Sequence, residues 1–302
     1  MILKELASTG GRVPEIGIGT YDYHGGPGPL RRGLESGALF IDTAESYGTE
    51  PVVGEAVRGM RDRVFLATKV SPEHFRPEDF RQSVDASLLR LGVDAVDLLQ
   101  LHHPNPAIPI ADTMGALAGM IDAGKVRFGG VSNFSVKQME DAQRAFGKHP
   151  IVSNQIRYNL IDRTIEADLL PYCQAHRVAV IAYSPLAKSL SRFLDCDPAG
   201  IIAGIARETG KTPAQIVINW CLCKDGVFAI PKGGSVEHIL ENCAASDWRL
   251  TSEQIALLDT KIQYRRRNRL DRLVRTRMPH SLQRLARWTA DRLPRSVRRR
   301  FF

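Results

Sequence analysis

At 302 residues, with 43% apolar and 25% charged side chains, the chain has the size and composition of one large globular domain. It carries no run of about 20 apolar residues that could span a bilayer, and its amino terminus, MILKELASTGGRVPEIGIG, lacks the apolar core of a secretory signal, so cytoplasmic residence is expected. The net charge of +8 is unevenly spread: from Tyr264 to Phe302 fourteen Arg stand against Asp271 and Asp291, which leaves residues 1–263 at −4.

The first segment has a Gly10-Gly11 turn between short apolar stretches, which predicts a hairpin plugging one end of a barrel. Residues 16–20, IGIGT, predict the first barrel strand, with glycines that let backbone or ligand come close. A helix over 29–37 follows, ending at Gly37. The run Leu39, Phe40, Ile41 then predicts a buried parallel strand that stops at Asp42. Five residues on, Tyr47 stands beside Gly48 in a turn that folds back toward Asp42.

A short helix over 50–59 leads to a third strand, VFLATKV over 64–70, with Lys69 near its exit. The mostly helical spacing of Phe80, Val84, Leu88, Leu89 and Leu91 predicts a helix over 77–92. The fourth strand, 96–102, ends at His102. A helix over 111–125 precedes the fifth strand, FGGVSN. The sixth is IVSNQI, the seventh VAVIAYS and the eighth VFAIPK. Helices are predicted over 212–226 and 235–245, and Thr251 with Gln254 forms a capping box for a last helix ending near Ile262. Strands alternating with helices are the signature of a parallel α/β fold.

Asp42, Tyr47, Lys69 and His102 thus fall at the ends of successive strands, which in a parallel barrel converge on one mouth. A phenol is a weak acid near neutrality, and an adjacent ammonium lowers its pKa. Asp42 can hold Lys69 charged and in place, and His102 can hydrogen-bond a substrate oxygen while Tyr47 protonates it.

FIDTAESYG, ATKV and LLQLHHP resemble the corresponding motifs of the aldo-keto reductase family. That resemblance implies an eight-stranded parallel (β/α) TIM barrel and a nicotinamide cofactor held without a Rossmann domain. It also implies a catalytic set of Tyr47, Asp42, Lys69 and His102. The GVSNF, NQ and AYSPL contexts match those that clamp and stack the nicotinamide, which nominates Ser132, Asn133, Gln155, Tyr183, Ser184 and Leu186. Gly19, Thr20 and Tyr21 become neighbours of cofactor or substrate. IPKGGSVEHILEN resembles the region that holds the adenosine 2′-phosphate and adenine, nominating Lys232, Ser235, His238, Glu241 and Asn242. Many NADPH-preferring members have Ser after that Lys and Arg six residues beyond it; Gly233 and His238 stand there instead, so NADPH is favoured while NADH stays open. His103 occupies a position that is Trp in many members and is a candidate substrate contact.

The function expected is reduction of an aldehyde or ketone. A Schiff-base mechanism at Lys69 would need a neutral amine, which Asp42 opposes. A nicotinamide-binding sensor or accessory barrel is the alternative. The division expected is a barrel over 1–263 and a basic extension over 264–302. There Leu282, Leu285, Ala286 and Leu293 share one face of an amphipathic helix between Pro279 and Pro294. This extension can meet the barrel, an anionic membrane or an acidic partner. No nucleic-acid partner is expected, since no binding module accompanies the charge. Cys173, Cys196, Cys221, Cys223 and Cys243 read as free thiols, Cys221 and Cys223 diverge on a helix, and no metal site is expected. A monomer is the default.

Overall fold

Leu3–Glu5 (β1) pairs antiparallel with Arg12–Pro14 (β2), and Gly10 takes the left-handed conformation that the intervening turn requires (φ 69°). The computed structural model describes residues 1–264, which form one unit. The basic helix expected between Pro279 and Pro294 lies outside the described residues.

After this hairpin the chain alternates strand and helix. Ile18–Gly19 (β3) and Pro27–Glu35 (α1) are followed by Phe40–Asp42 (β4) and Glu50–Val57 (α2). Next come Phe65–Val70 (β5), Pro77–Leu91 (α3), Val96–Leu101 (β6) and Ile110–Asp122 (α4). Val126–Ser132 (β7), Val136–Phe146 (α5), Ile151–Arg157 (β8) and Leu169–Ala175 (α6) continue the pattern. Ala179–Tyr183 (β9) precedes Ser191–Leu194 (α7), Ile201–Thr209 (α8) and Pro213–Leu222 (α9). Val227–Ile230 (β10), Val236–Cys243 (α10) and Ser252–Lys261 (α11) complete the described chain. The capping box read at Thr251 and Gln254 is present at the start of α11.

The strands β3 to β10 form one eight-stranded sheet in sequence order, each parallel to the next. The sheet curls until its two edges meet: Ile16 bridges Ala229, and Gly19 N–H donates to the Pro231 carbonyl at 3.1 Å. A Cβ on Gly19 would stand 2.7 Å from the Ile230 carbonyl oxygen, so the seam closes only on glycine. This is the expected barrel with its amino-terminal hairpin. The first strand is shorter than the sequence suggested, because only Ile18 and Gly19 keep regular pairing with β4.

Period-two alternation fills the barrel in layers. Phe40, Ala67, Leu98, Ile181 and Phe228 pack inside, with Leu6 and Val13 of the hairpin beneath them. Ile41, Leu66, Leu99 and Val180 face outward into the larger cluster shared with the helices. Two residues beyond Phe40, Ala67 and Leu98 come Asp42, Lys69 and Gln100, so the apolar layer is capped by a polar one facing the mouth. Among the described residues, no helix is long and apolar enough to cross a membrane, and no cluster of His, Cys, Asp and Glu could hold a metal. None of the five cysteines, all among the described residues, is in a disulfide.

Candidate active site

Asp42 is 2% exposed and Lys69 fully buried. Lys69 Nζ donates to Asp42 Oδ1 at 2.6 Å and to the Thr43 carbonyl at 2.8 Å. The second carboxylate oxygen accepts Gln155 Nε2 at 2.7 Å and Gln100 Nε2 at 3.3 Å. A buried ion pair costs several kcal/mol in desolvation and persists only where further hydrogen bonds complete it; here the backbone and two amides do so. Burial acts most strongly on Lys69, toward the neutral amine, but Asp42 and then Tyr47 outweigh it and its pKa is raised.

Tyr47 ends a single 3₁₀ turn, Glu45–Tyr47, which Gly48 terminates in the left-handed conformation (φ 70°). The turn is fixed through Glu45, whose carboxylate accepts the Ser71 N–H at 2.5 Å, bonds His74 Nδ1 at 3.0 Å and accepts the Ser83 hydroxyl. Ser71 lies just past β5, so the turn bearing Tyr47 is tied to the strand bearing Lys69.

Lys69 Nζ lies 4.8 Å from the centre of the Tyr47 ring. The Tyr47 hydroxyl is 3.4 Å from His102 Nε2, and His102 Nδ1 is 3.4 Å from Ser46 Oγ. Burial pushes the Tyr47 phenol up; Lys69 pulls it down and Asp42 pushes it further up, and the net direction is upward. The neighbouring ammonium alone predicts a lowered phenol. Instead, burial and the Asp42 charge outweigh Lys69, so Tyr47 stands as a neutral phenol.

The rim continues as a run of rings. Tyr21, 58% exposed, meets Tyr47 edge-on with ring centres 5.1 Å apart. Exposed His103 stacks on His102 at 5.0 Å with planes 12° apart. Both candidate substrate contacts therefore stand on the same mouth as Tyr47 and His102.

At the ends of β7, β8 and β9, side chains lock onto one another. Ser132 Oγ donates to the Gln155 carbonyl at 2.9 Å. Asn133, at φ 64°, donates Nδ2 to Ser132 Oγ and to the His102 carbonyl, and its Oδ1 accepts the Tyr183 hydroxyl at 3.0 Å. Through Gln155 this array reaches Asp42. The Ser184 carbonyl accepts Asn159 Nδ2 at 2.9 Å, and Leu186 packs against the cluster of Ile16 and Ile218. Gly19 contributes a close approach at the seam. Thr20 is fully buried, its hydroxyl occupied by the Asp42 carbonyl and Thr49, so it braces Asp42.

The nominated phosphate-end residues sit together where β10 passes into α10. Ser235 caps α10, accepting the His238 N–H at 3.3 Å. Buried Asn242 donates to the Lys232 carbonyl at 3.4 Å, and the Glu241 carbonyl accepts Gln215 Nε2 at 3.1 Å. The Lys232 ammonium bonds the Asp22 carbonyl at 2.9 Å and its carboxylate at 3.1 Å. Amides and a tyrosine face beside the Asp42–Lys69 pair, with an ammonium at a capped helix amino end, make a donor set that fits a nicotinamide dinucleotide.

Gln100 and Glu45 lie within LLQLHHP and FIDTAESYG, but those patterns give them no role of their own, and Asp22 lies outside every motif. Gln100 is accessible in principle, because it stands opposite Lys69 in the register of β5 and β6. Glu45 and Asp22 act across contacts that no local pattern encodes.

The sequence profile of the aldo/keto reductase family matches residues 28–263. A curated relative, methylglyoxal reductase YeaE of Escherichia coli K12, is 37% identical over 233 residues, covering 76% of this chain and 82% of the relative. An aldo-keto reductase of Klebsiella pneumoniae, solved with NADPH, superposes with a TM-score of 0.82 at 38% identity over 88% of this chain and 98% of its own. A thermostable aldo-keto reductase solved with the inhibitor epalrestat superposes with a TM-score of 0.81 at 38% identity, covering 86% and 99% of the two chains.

Proposed function

The chain belongs to the aldo/keto reductase family, and from that membership we propose that it reduces small aldehydes or ketones to alcohols with NADPH, NADH being admitted. When bound, the nicotinamide supplies the hydride. Tyr47 holds the proton that the carbonyl oxygen receives, and its raised pKa keeps that proton in place until charge builds on the oxygen. Lys69 stabilises the phenolate left behind, with its own charge maintained by Asp42. His102, beside the Tyr47 hydroxyl, orients the carbonyl.

Ser132, Asn133 and Gln155 are assigned to the nicotinamide amide and Tyr183 to its ring, with Gly19, Ser184 and Leu186 along its path. Lys232, Ser235, His238, Glu241 and Asn242 are assigned to the adenosine end. Tyr21 and His103 form the rim that meets substrate. The observation that carries this reading is the fully buried Lys69–Asp42 pair beneath a neutral phenol at the barrel mouth.

Methylglyoxal is the first carbonyl to try, since a relative carries that name and the rim here is polar. Following loss of reduced-nicotinamide absorbance with methylglyoxal and a panel of aldehydes tests the reading. Turnover with one alcohol formed per cofactor oxidised is expected. Cofactor binding with no turnover on any carbonyl would favour a sensing role instead.

A further inference from the structure

We propose that Asp22 is a cofactor-specificity residue: its carboxylate, seated on Lys232, opposes a 2′-phosphate and favours a free 2′-hydroxyl, so that this chain accepts NADH alongside NADPH. The inference rests on the cofactor reading above and deepens it by assigning a role to a residue outside the strand-end motifs.

Lys232 is the one lysine or arginine from 232 to 242, where it is set against Glu237 and Glu241. That single ammonium is engaged twice by Asp22, through the backbone carbonyl at 2.9 Å and the carboxylate at 3.1 Å. The carboxylate is itself drawn into place by His24, whose Nε2 lies 3.3 Å from Oδ1. A phosphate bonding Lys232 would have to share Nζ with an existing anion or displace it. Like charges that close repel, and an ammonium already paired offers less to a dianion. A 2′-hydroxyl has the opposite requirement: it is a donor, and a carboxylate is a good acceptor for a ribose hydroxyl.

Asp22 is presented by a shaped loop. Its backbone is left-handed at φ 56°, and the next residue, Tyr23, is buried with its hydroxyl donating to the Gly26 carbonyl at 2.8 Å. Gly25 leans on the facing segment so closely that a Cβ there would stand 3.0 Å from the Gly234 carbonyl oxygen. The loop from 21 to 26 is therefore seated against 232–234, and the Asp22–Lys232 pair follows from that seating. Because the two side chains remain 63% and 42% exposed, they can exchange partners with a ligand.

The test is calorimetric titration of the full chain with NADPH and with NADH, comparing the unsubstituted protein, Asp22→Asn and Asp22→Ala. In the unsubstituted protein the two dissociation constants are expected within about tenfold of each other. Both variants should shift the ratio about tenfold toward NADPH, and the shift should shrink as salt rises. Two variants of different size guard against a local packing effect, and coincident melting curves confirm that each is folded. An unchanged ratio in both variants, with both cofactors still bound, would overturn the role of Asp22 alone. Binding of neither cofactor by the unsubstituted protein would overturn the cofactor reading and this inference together.

Discussion

Lys69 Nζ and Asp42 Oδ1 are 2.6 Å apart in a site where neither side chain is more than 2% exposed. Breaking such a pair from one side leaves an uncompensated buried charge, at a cost of roughly 3–5 kcal/mol. Lys69→Met should therefore be strongly destabilised, and adding Asp42→Asn should recover part of the loss. Urea unfolding of the two single variants and the double variant measures this directly. Simple additivity of the single effects would mean that the two charges are not coupled.

The same pair sets an alkaline limit. The pKa of Lys69 is raised above its ordinary 10.5, so its contribution to stability is fully present below that value. It is lost as pH rises through the higher folded-state pKa. Melting temperature should hold up to about pH 10 and fall above it, more steeply in the unsubstituted protein than in the Lys69→Met, Asp42→Asn double variant. Equal slopes would remove Lys69 as the cause.

Glu45 should matter to turnover while leaving cofactor affinity nearly untouched, because it fixes the turn that carries Tyr47. A misplacement of about 1 Å can cost about a hundredfold in rate, and Glu45→Ala is expected to lose between about tenfold and a hundredfold in kcat. The Glu45 carboxyl lies below its ordinary 4.5: burial raises it, but Ser83, Ser71 and His74 together lower it further. Its contribution is thus present above pH 4.5 and lost as pH falls through the lower folded-state value. Glu45→Ala should accordingly flatten the acid limb of the stability profile. A kcat within twofold of the unsubstituted protein would show that the turn holds without it.

A chain ending at Tyr264 should still fold and bind the cofactor. Arg163, 3% exposed, is stacked against Trp220 at 4.8 Å and Tyr264 at 4.4 Å and is paired with Asp259, so the described chain is anchored up to its last residue. Cooperative thermal unfolding of the shortened chain, with unaltered NADPH affinity, is the expected result. Loss of the transition would mean that 265–302 belongs to the barrel's core.

Much of the site is legible in the sequence because parallel strands advertise their exits. A run such as Leu39-Phe40-Ile41 that stops at Asp42 places the carboxylate at a strand end from the residue pattern alone, and Lys69 and His102 follow likewise. The capping box at Thr251 is local and legible for the same reason. Gln100 is silent in sequence because its meaning depends on register, which brings it level with Lys69. Glu45 and Asp22 depend on partners 26 and 210 residues away. The direction of the Tyr47 shift runs against the sequence-based expectation because neighbouring charges can be inferred from strand ends, whereas the depth at which they are buried cannot.

The most direct measurement is turnover of Tyr47→Phe with saturating NADPH and the best carbonyl of the panel, alongside its cofactor dissociation constant. The substitution removes one hydroxyl and retains the ring that packs against Tyr21. A loss of about 10² to 10⁴ in kcat with cofactor affinity unchanged is the predicted result. Turnover within a few-fold of the unsubstituted protein would contradict the assignment of Tyr47 as the proton donor.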